Sequence, residues 1–281
     1  MKALVCEMCG SQELVKEGGM YVCQNCKTKY DPEEAKKLLV EVSGSVQIDN
    51  SKKLENLYKL ARRAKQENNE TDAANYYAQI ALEDPDSWEA QFYKVYYTAM
   101  KTNIAGISSA ANSVKNAGIS ALKLIRDSNE SGTQKKKYVH ELIEKTSIFR
   151  ILLTSSAEKH YNGIDPEIRD KYRTEYINRI TAANDMVYSI GQNVDRLFGA
   201  SYKDYILVCY HEVYDDFIKR GNYDTAKEVG ASIDKYDPEF KGAENAEKAK
   251  QDAAKFSCGF SCGCTIAIII IGILIWWFFF H

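Results

Sequence analysis

Two Cys-x-x-Cys pairs lie close to the N-terminus, Cys6-Glu-Met-Cys9 and Cys23-Gln-Asn-Cys26, with thirteen residues between them. Each pair makes a tight turn that aims two thiolates at one point, and a hairpin that brings two such turns together completes a tetrahedral four-sulfur shell. The metal ligands expected from this spacing are Cys6, Cys9, Cys23 and Cys26, holding one Zn2+ ion. Four protein ligands leave no open position, so the zinc is expected to be structural. A stretch this short buries too little apolar surface to fold alone, and metal binding would supply its folding free energy. Unrelated free cysteines or a redox pair are the competing readings. The second lacks the βαβ context that a thioredoxin-like site requires.

Residues 1–30 are expected to form this ribbon. Short strands fit Ala3-Leu-Val5 and Met20-Tyr-Val22, with Gly18-Gly19 turning the chain between them, and Gly10 follows the first pair where a positive φ is convenient. Residues 31–50 read as a short helix and a linker. Asp31 is an N-cap with Pro32 at the first helical position and Glu33 and Glu34 in the first turn, and the helix is expected to reach about Val42. In residues 1–40, Lys2, Lys16, Lys27, Lys29, Lys36 and Lys37 are matched by Glu7, Glu13, Glu17, Asp31, Glu33 and Glu34. A zinc held by four thiolates adds two further negative charges. A nucleic-acid reader usually carries a basic stripe, and this stretch has none.

Residues 51–254 read as helix throughout. The chain has only 4 Pro and 16 Gly, which suits long helices, and 19 Tyr. Leu57, Leu60, Ala61 and Ala64 share one face, Asn68-Asn69 breaks the chain, and Ala73, Ala74, Tyr77, Ala81 and Pro85 follow. Trp88 opens a third helix with Phe92 and Tyr96. Three long apolar stripes come next: Ile104 to Ile125; Tyr138, Leu142, Phe149 and Leu152/Leu153; and Ile168, Tyr172, Tyr176, Ile180, Ala183, Val187, Ile190 and Val194. Ser131-Gly132 and Gly163-Ile-Asp-Pro166 separate them. Tyr210, Val213, Tyr214 and Phe217 then face one way, Gly221-Asn-Tyr223 turns the chain, Ala226 opens a helix and Pro238 closes it. A charged, Ala-rich helix is expected from Phe240 to Phe256.

From Phe256 to Phe280 no residue is charged. Residues 257–280 are long and apolar enough to read as a single transmembrane helix, with Trp276 and Trp277 where amphipathic rings favour the interface. Lys248, Lys250 and Lys255 precede it, so the N-terminal side is expected to be cytoplasmic. Met1-Lys-Ala-Leu-Val-Cys6 lacks the long apolar core of a signal peptide. The expected arrangement is a tail-anchored, single-pass protein of the cell membrane. Gly259-Phe-Ser-Cys-Gly263 is a G-x-x-x-G that permits close helix approach, hence a homodimer. Cys258, Cys262 and Cys264 read as small apolar residues at the helix mouth.

Residues that would carry catalysis are not apparent. There is no nucleophile constellation, no phosphate-binding glycine loop and no His pair at metal spacing, so no enzyme is expected. His140, His160, His211 and His281 are isolated. Asp215-Asp216 and Glu33-Glu34 read as solvated helix positions, and Lys135-Lys-Lys137 as a solvated turn.

Three resemblances are carried by these residues. The four-cysteine module resembles the zinc ribbon at the front of archaeal-eukaryotic transcription factor B; such ribbons bind nucleic acid or protein. The stretches 56–85 and 210–238 resemble tetratricopeptide (TPR) hairpins, in which small residues let two helices pack closely and Pro ends the second. The spacing from Ala81 to Pro85 departs by one residue, and Leu57 stands where the TPR pattern has Trp. The middle stripes lack TPR spacing and are either degenerate repeats or an inserted bundle. As a whole, through Lys53 to Arg63 and Glu83 to Ala90, the chain resembles bacterial membrane proteins of low-GC Gram-positives with an N-terminal ribbon and a TPR-like body. The expected fold is therefore mostly α: a small β zinc ribbon, a TPR-like all-α body and one C-terminal transmembrane helix. The first functional reading is a membrane-anchored, cytosol-facing protein-interaction adaptor, its protein partner unspecified. The second is a membrane-tethered nucleic-acid-binding regulator that reads through the ribbon.

Overall fold

The computed structural model describes residues 3–37, 39–40 and 51–255. The expected transmembrane helix, its Gly259–Gly263 motif and Cys258, Cys262 and Cys264 lie outside the described residues, as does His281. Among the described residues no helix is long and apolar enough to cross a membrane. The chain divides into two units at Glu55/Asn56.

The first unit is built on a three-stranded antiparallel sheet of order β2-β3-β4, where β2 is Leu14–Glu17, β3 is Met20–Cys23 and β4 is Lys29–Tyr30. The pair Glu17↔Met20 closes on the two-residue loop Gly18-Gly19, whose φ values of +57° and +86° are those of a type I′ hairpin turn. The sequence reading expected Ala3–Val5 as one of the ribbon's two strands. Instead β1 (Ala3–Leu4) pairs with β5 (Leu39–Val40), and Met20–Cys23 takes Leu14–Glu17 as its hairpin partner.

The first helix, α1, is shorter than the expected run to Val42. It spans Pro32–Lys37, because Leu39-Val40 is drawn into the β1 ladder. Its start is as expected. The Asp31 carboxylate accepts from the backbone N–H groups of Glu33 and Glu34, both at 2.8 Å. The Glu34 carboxylate accepts in return from Asp31 N–H at 3.0 Å, closing a capping box.

From Ser51 on the described chain is helical, α2 running across the boundary between the units: α2 Ser51–Gln66, α3 Glu70–Glu83, α4 Trp88–Met100, α5 Ile107–Asp127, α6 Gly132–Asn162, α7 Arg173–Phe198, α8 Lys203–Lys219, α9 Tyr223–Asp234, and α10 over residues 242–255. Local chemistry sets the boundaries. Asn68 takes φ +55° and ends α2, and the Asn69 side chain accepts from Asp72 N–H to start α3. Ser87 and Ser131 cap α4 and α6 in the same way. The Asp234 carboxylate accepts from the N–H groups of Gly242 and Ala243 and so caps α10.

Successive packing runs α3 on α4 and α4 on α5; α5 and α6 then both lie against α7, which also carries α8, and α9 packs on α8. The core along this path is the expected set with exceptions. Leu57, Ala61, Ala64, Ala73, Ala74, Tyr77 and Ala81 are buried, but Leu60 is 42% exposed. On α6 the buried face holds Val139, Leu142, Phe149 and Leu153, whereas Leu152 is 43% exposed. Ile168 and Tyr172 lie before α7 begins, next to or within a 3-10 turn, and do not join its stripe, which is buried from Ile180 to Val194.

The tyrosines have a common use. Tyr77, Tyr93 and Tyr97 stack with centroids 5.1 to 6.3 Å apart, and two of their hydroxyls donate to carboxylates. Tyr77 donates to Glu89 at 2.7 Å, and Tyr93 to Glu141, which Lys65 also meets. The rings are buried while the Tyr77 and Tyr93 hydroxyls keep polar partners. The Lys135 ammonium, expected in a solvated turn, donates to the Arg126 carbonyl at 2.7 Å and so holds the end of α5.

Candidate metal centre

The two Cys-x-x-Cys segments fold into matching turns. In the first, Gly10 N–H donates to the Cys6 carbonyl at 2.8 Å and Cys6 N–H to the Ser11 carbonyl at 2.9 Å. In the second, Lys27 N–H donates to the Cys23 carbonyl at 2.9 Å and Cys23 N–H to the Thr28 carbonyl at 2.9 Å. Both fifth residues are left-handed, Gly10 at φ +73° and Lys27 at φ +60°. This shape leaves backbone N–H groups inside each turn pointing toward the sulfurs, the geometry of an anion-favouring nest.

The four sulfurs converge. The Sγ atoms of Cys6, Cys9, Cys23 and Cys26 all lie within 4.8 Å of one another, with Cys6 to Cys26 at 3.5 Å and Cys9 to Cys23 at 3.6 Å. A tetrahedral ZnS4 centre with 2.3 Å bonds has sulfurs about 3.8 Å apart, so the four thiols fit one metal ion. Cys6 and Cys23 are buried, and Cys9 and Cys26 face outward. Tyr30 and Ala35 pack beside the buried pair, with Leu4, Leu14 and Tyr21 around them. The inner sulfurs are thus shielded by apolar groups that β1 to β4 and α1 supply.

Two polar neighbours were not legible from the spacing. The Tyr30 hydroxyl lies 3.1 Å from Cys6 Sγ, and the Thr28 hydroxyl 3.1 Å from Cys26 Sγ. Hydroxyls of this kind orient ligands and disperse their charge. Their effect on the free thiols is graded. The Tyr30 hydrogen bond pulls the Cys6 thiol below its usual range. The side-chain and backbone hydrogen bonds of Thr28 bring Cys26 down to about 6. Cys9 goes the other way: the Ser11 backbone favours its thiolate, but Cys26, burial, Cys23 and Cys6 outweigh it and push the group to about 11. The Cys6 sulfur, burial and the Cys6 charge raise Tyr30 to about 12. Four crowded sulfurs resist full ionisation by themselves, and a divalent cation relieves that repulsion.

In the helical body several titratable residues form structural pairs. Arg150 is buried and donates to Glu212 at 2.7 Å and to Asn184 at 3.2 Å, and Asn184 donates to Asp216 at 2.7 Å. Arg220 donates to Asp216 at 2.8 Å and to Tyr176 at 2.5 Å. Asp216, expected to be solvated, is therefore a half-buried node joining α6, α7 and α8. His140 packs against Tyr205 with centroids 5.9 Å apart, and His211 stands edge-on to Phe240 at 4.5 Å. Cys209 is fully buried, and burial pushes its thiol far up.

Comparison of the chain with protein-family models, with curated proteins and with solved structures gave no match.

Proposed function

We propose that this chain is a docking protein. One structural zinc ion bound by Cys6, Cys9, Cys23 and Cys26 fixes the N-terminal ribbon, the helical body offers the surface for a protein partner, and residues 257–280 hold the molecule in a membrane with the body on the cytoplasmic side. The observation that carries the reading is the closed four-sulfur cluster. With every coordination position filled by protein, a bound zinc has no place for a substrate, so it acts as a staple for a recognition surface. The balanced charge of the ribbon favours a protein over a nucleic acid as its target.

The body supports the same reading through its hairpins. The stretches 56–85 and 210–238 fall on α2–α3 and α8–α9, and the short turns and buried Ala61, Ala64, Ala73, Ala74 and Ala226 support reading both as TPR-like hairpins. Between them α6 and α7 run for 31 and 26 residues, about twice the helix length that a 34-residue two-helix repeat allows. We read the middle as an inserted bundle. On α6, Ile148, Ile151 and Leu152 are exposed at spacings of three and four, which places them on one face.

Cross-linked capture of the full-length protein from membranes, beside a Cys23→Ser/Cys26→Ser variant, tests the proposal. A defined protein set is the expected catch. Loss of that set in the variant assigns recognition to the ribbon, and its retention assigns recognition to the body. Nucleic acid enriched only by the intact ribbon would replace the adaptor reading with the regulator reading.

A further inference from the structure

The end of α6, the first half of α7 and the α8–α9 turn enclose a pocket of about 550 Å3, inside the ~300–1,000 Å3 range of ligand sites. Its wall is aromatic and aliphatic: Tyr161 and Tyr176, stacked at 4.4 Å and 11°, then Ile177, Ile180 and Phe217. Ile177 is 45% exposed, so a large aliphatic side chain at the pocket wall remains uncovered by the fold itself.

Charge sets the second half of the chemistry. Two arginines line the pocket, Arg173 and Arg220, and no carboxylate does. They are used differently. Arg220 is clamped from three helices by Asp216 at 2.8 Å, Tyr176 at 2.5 Å and Glu158 at 3.4 Å. These partners neutralise it and hold its position, making it part of the wall. Arg173, at the first turn of α7, has no ion-pair partner among the described residues and stands exposed at the mouth. The Asn222 side chain, which also lines the pocket, caps nothing and makes no hydrogen bond among the described residues. A guanidinium and an amide, both free, therefore line a pocket whose wall is largely apolar.

We propose that this pocket binds an acidic side chain next to a large apolar one on a partner polypeptide. The carboxylate would meet the Arg173 guanidinium and the Asn222 amide, and the apolar neighbour would cover Ile177, Ile180 and the Tyr176 ring. A guanidinium–carboxylate hydrogen bond beside a desolvated wall is the stronger class of polar contact. Gly221 and Arg173 are exposed at the mouth, which leaves room for the chain to continue on either side of the bound pair. The inference rests on the reading of the body as a protein-docking module.

The test is calorimetric titration of the full-length protein with acetyl-Glu-Phe-amide, acetyl-Gln-Phe-amide and 3-phenylpropanoate. The acidic dipeptide is expected to bind with a Kd at or below about 1 mM. The Gln dipeptide is expected to bind about tenfold more weakly, the equivalent of ~1.4 kcal/mol. Arg173→Gln and Ile177→Ser are expected to weaken the acidic dipeptide at least as much while unfolding at the wild-type temperature, since both side chains are exposed. Equal binding of the Gln dipeptide, or unchanged binding in either variant, overturns the proposal. So does tighter binding of 3-phenylpropanoate, which would make the site one for a free aromatic acid. A partner set captured equally by wild type and Arg173→Gln also overturns the pocket's role while leaving the adaptor reading in place.

Discussion

Gly10 and Lys27 hold the same position in two matching turns. Each is the residue after a Cys-x-x-Cys pair, each has a left-handed backbone, and each N–H closes onto the carbonyl of the first cysteine of its pair at 2.8 or 2.9 Å. One turn uses the residue suited to that conformation, and the other tolerates a lysine at a cost of ~1–2 kcal/mol. Nothing lies within 4 Å of a Cβ added to Gly10, so the backbone alone decides the outcome. Gly10→Ala is expected to lower ribbon stability by ~1 kcal/mol, and Lys27→Gly to raise it by up to a similar amount. Zinc competition titration with a chromophoric chelator measures both.

Metal removal is expected to divide the molecule. The ribbon's buried cluster is small, so a strong chelator or Cys23→Ser is expected to unfold residues 3–40. The helices from Asn56 onward form their own unit with their own core. Far-ultraviolet circular dichroism is expected to keep nearly all its helical signal, while limited proteolysis cuts before residue 51. Loss of helical signal on chelation would show that the two units fold together.

Arg150 is the buried charge with most at stake. It is 7% exposed and shares Glu212 and Asn184 with α7 and α8. Arg150→Ala is expected to cost up to ~3–5 kcal/mol, because the half-buried Glu212 loses its countercharge and the buried Asn184 loses a donor. The double variant Arg150→Met/Glu212→Gln is expected to recover much of that loss. Urea unfolding midpoints of the two variants give the comparison.

Acid is expected to loosen the same region. Burial alone would raise the Asp216 carboxyl, but the Arg220 and Asn184 hydrogen bonds and the nearby guanidinium charges win and hold it below the usual carboxylate range. A carboxylate depressed in the folded state contributes stability above its unfolded pKa, ~3.9, and loses that contribution as pH falls through the folded value. Asp216→Asn is therefore expected to be less stable than wild type at pH 7, with the gap beginning to narrow below about pH 4. Parallel midpoints at pH 7 and pH 3 check it.

Two helical glycines are expected to behave differently. A Cβ at Gly230 would lie 2.4 Å from the Gly242 carbonyl carbon and 2.6 Å from Ala243 N, and backbone does not yield. A Cβ at Gly118 would meet the Ile190 Cδ1 atom at 2.6 Å, the end of a flexible side chain. Gly230→Ala is expected to destabilise by ~1–3 kcal/mol or more. Gly118→Ala is expected to fall near neutral, because ~1 kcal/mol of helix propensity offsets the repacking. Thermal unfolding of the two variants ranks them.

What the sequence disclosed follows from how local each cause is. The cysteine spacing fixes a turn within four residues, so the convergence of Cys6, Cys9, Cys23 and Cys26 was readable. Ser131, Asn69 and Asp31 cap helices through bonds three residues long, and those boundaries were readable too. The β1–β5 ladder joins residues more than thirty positions apart, and no local pattern announces it. Asp216 looks solvated beside Asp215, and only the meeting of α6, α7 and α8 turns it inward. Leu152 and Leu153 are adjacent on α6 and ~100° apart around it, and only tertiary packing decides which of the two is buried.

The most direct measurement is zinc K-edge X-ray absorption of the full-length protein together with its metal content. The account predicts one zinc per chain with four sulfur neighbours at about 2.3 Å, lost together in Cys23→Ser/Cys26→Ser. A shell mixing sulfur with oxygen or nitrogen, or a protein that purifies without stoichiometric metal and with disulfides in its place, would contradict it.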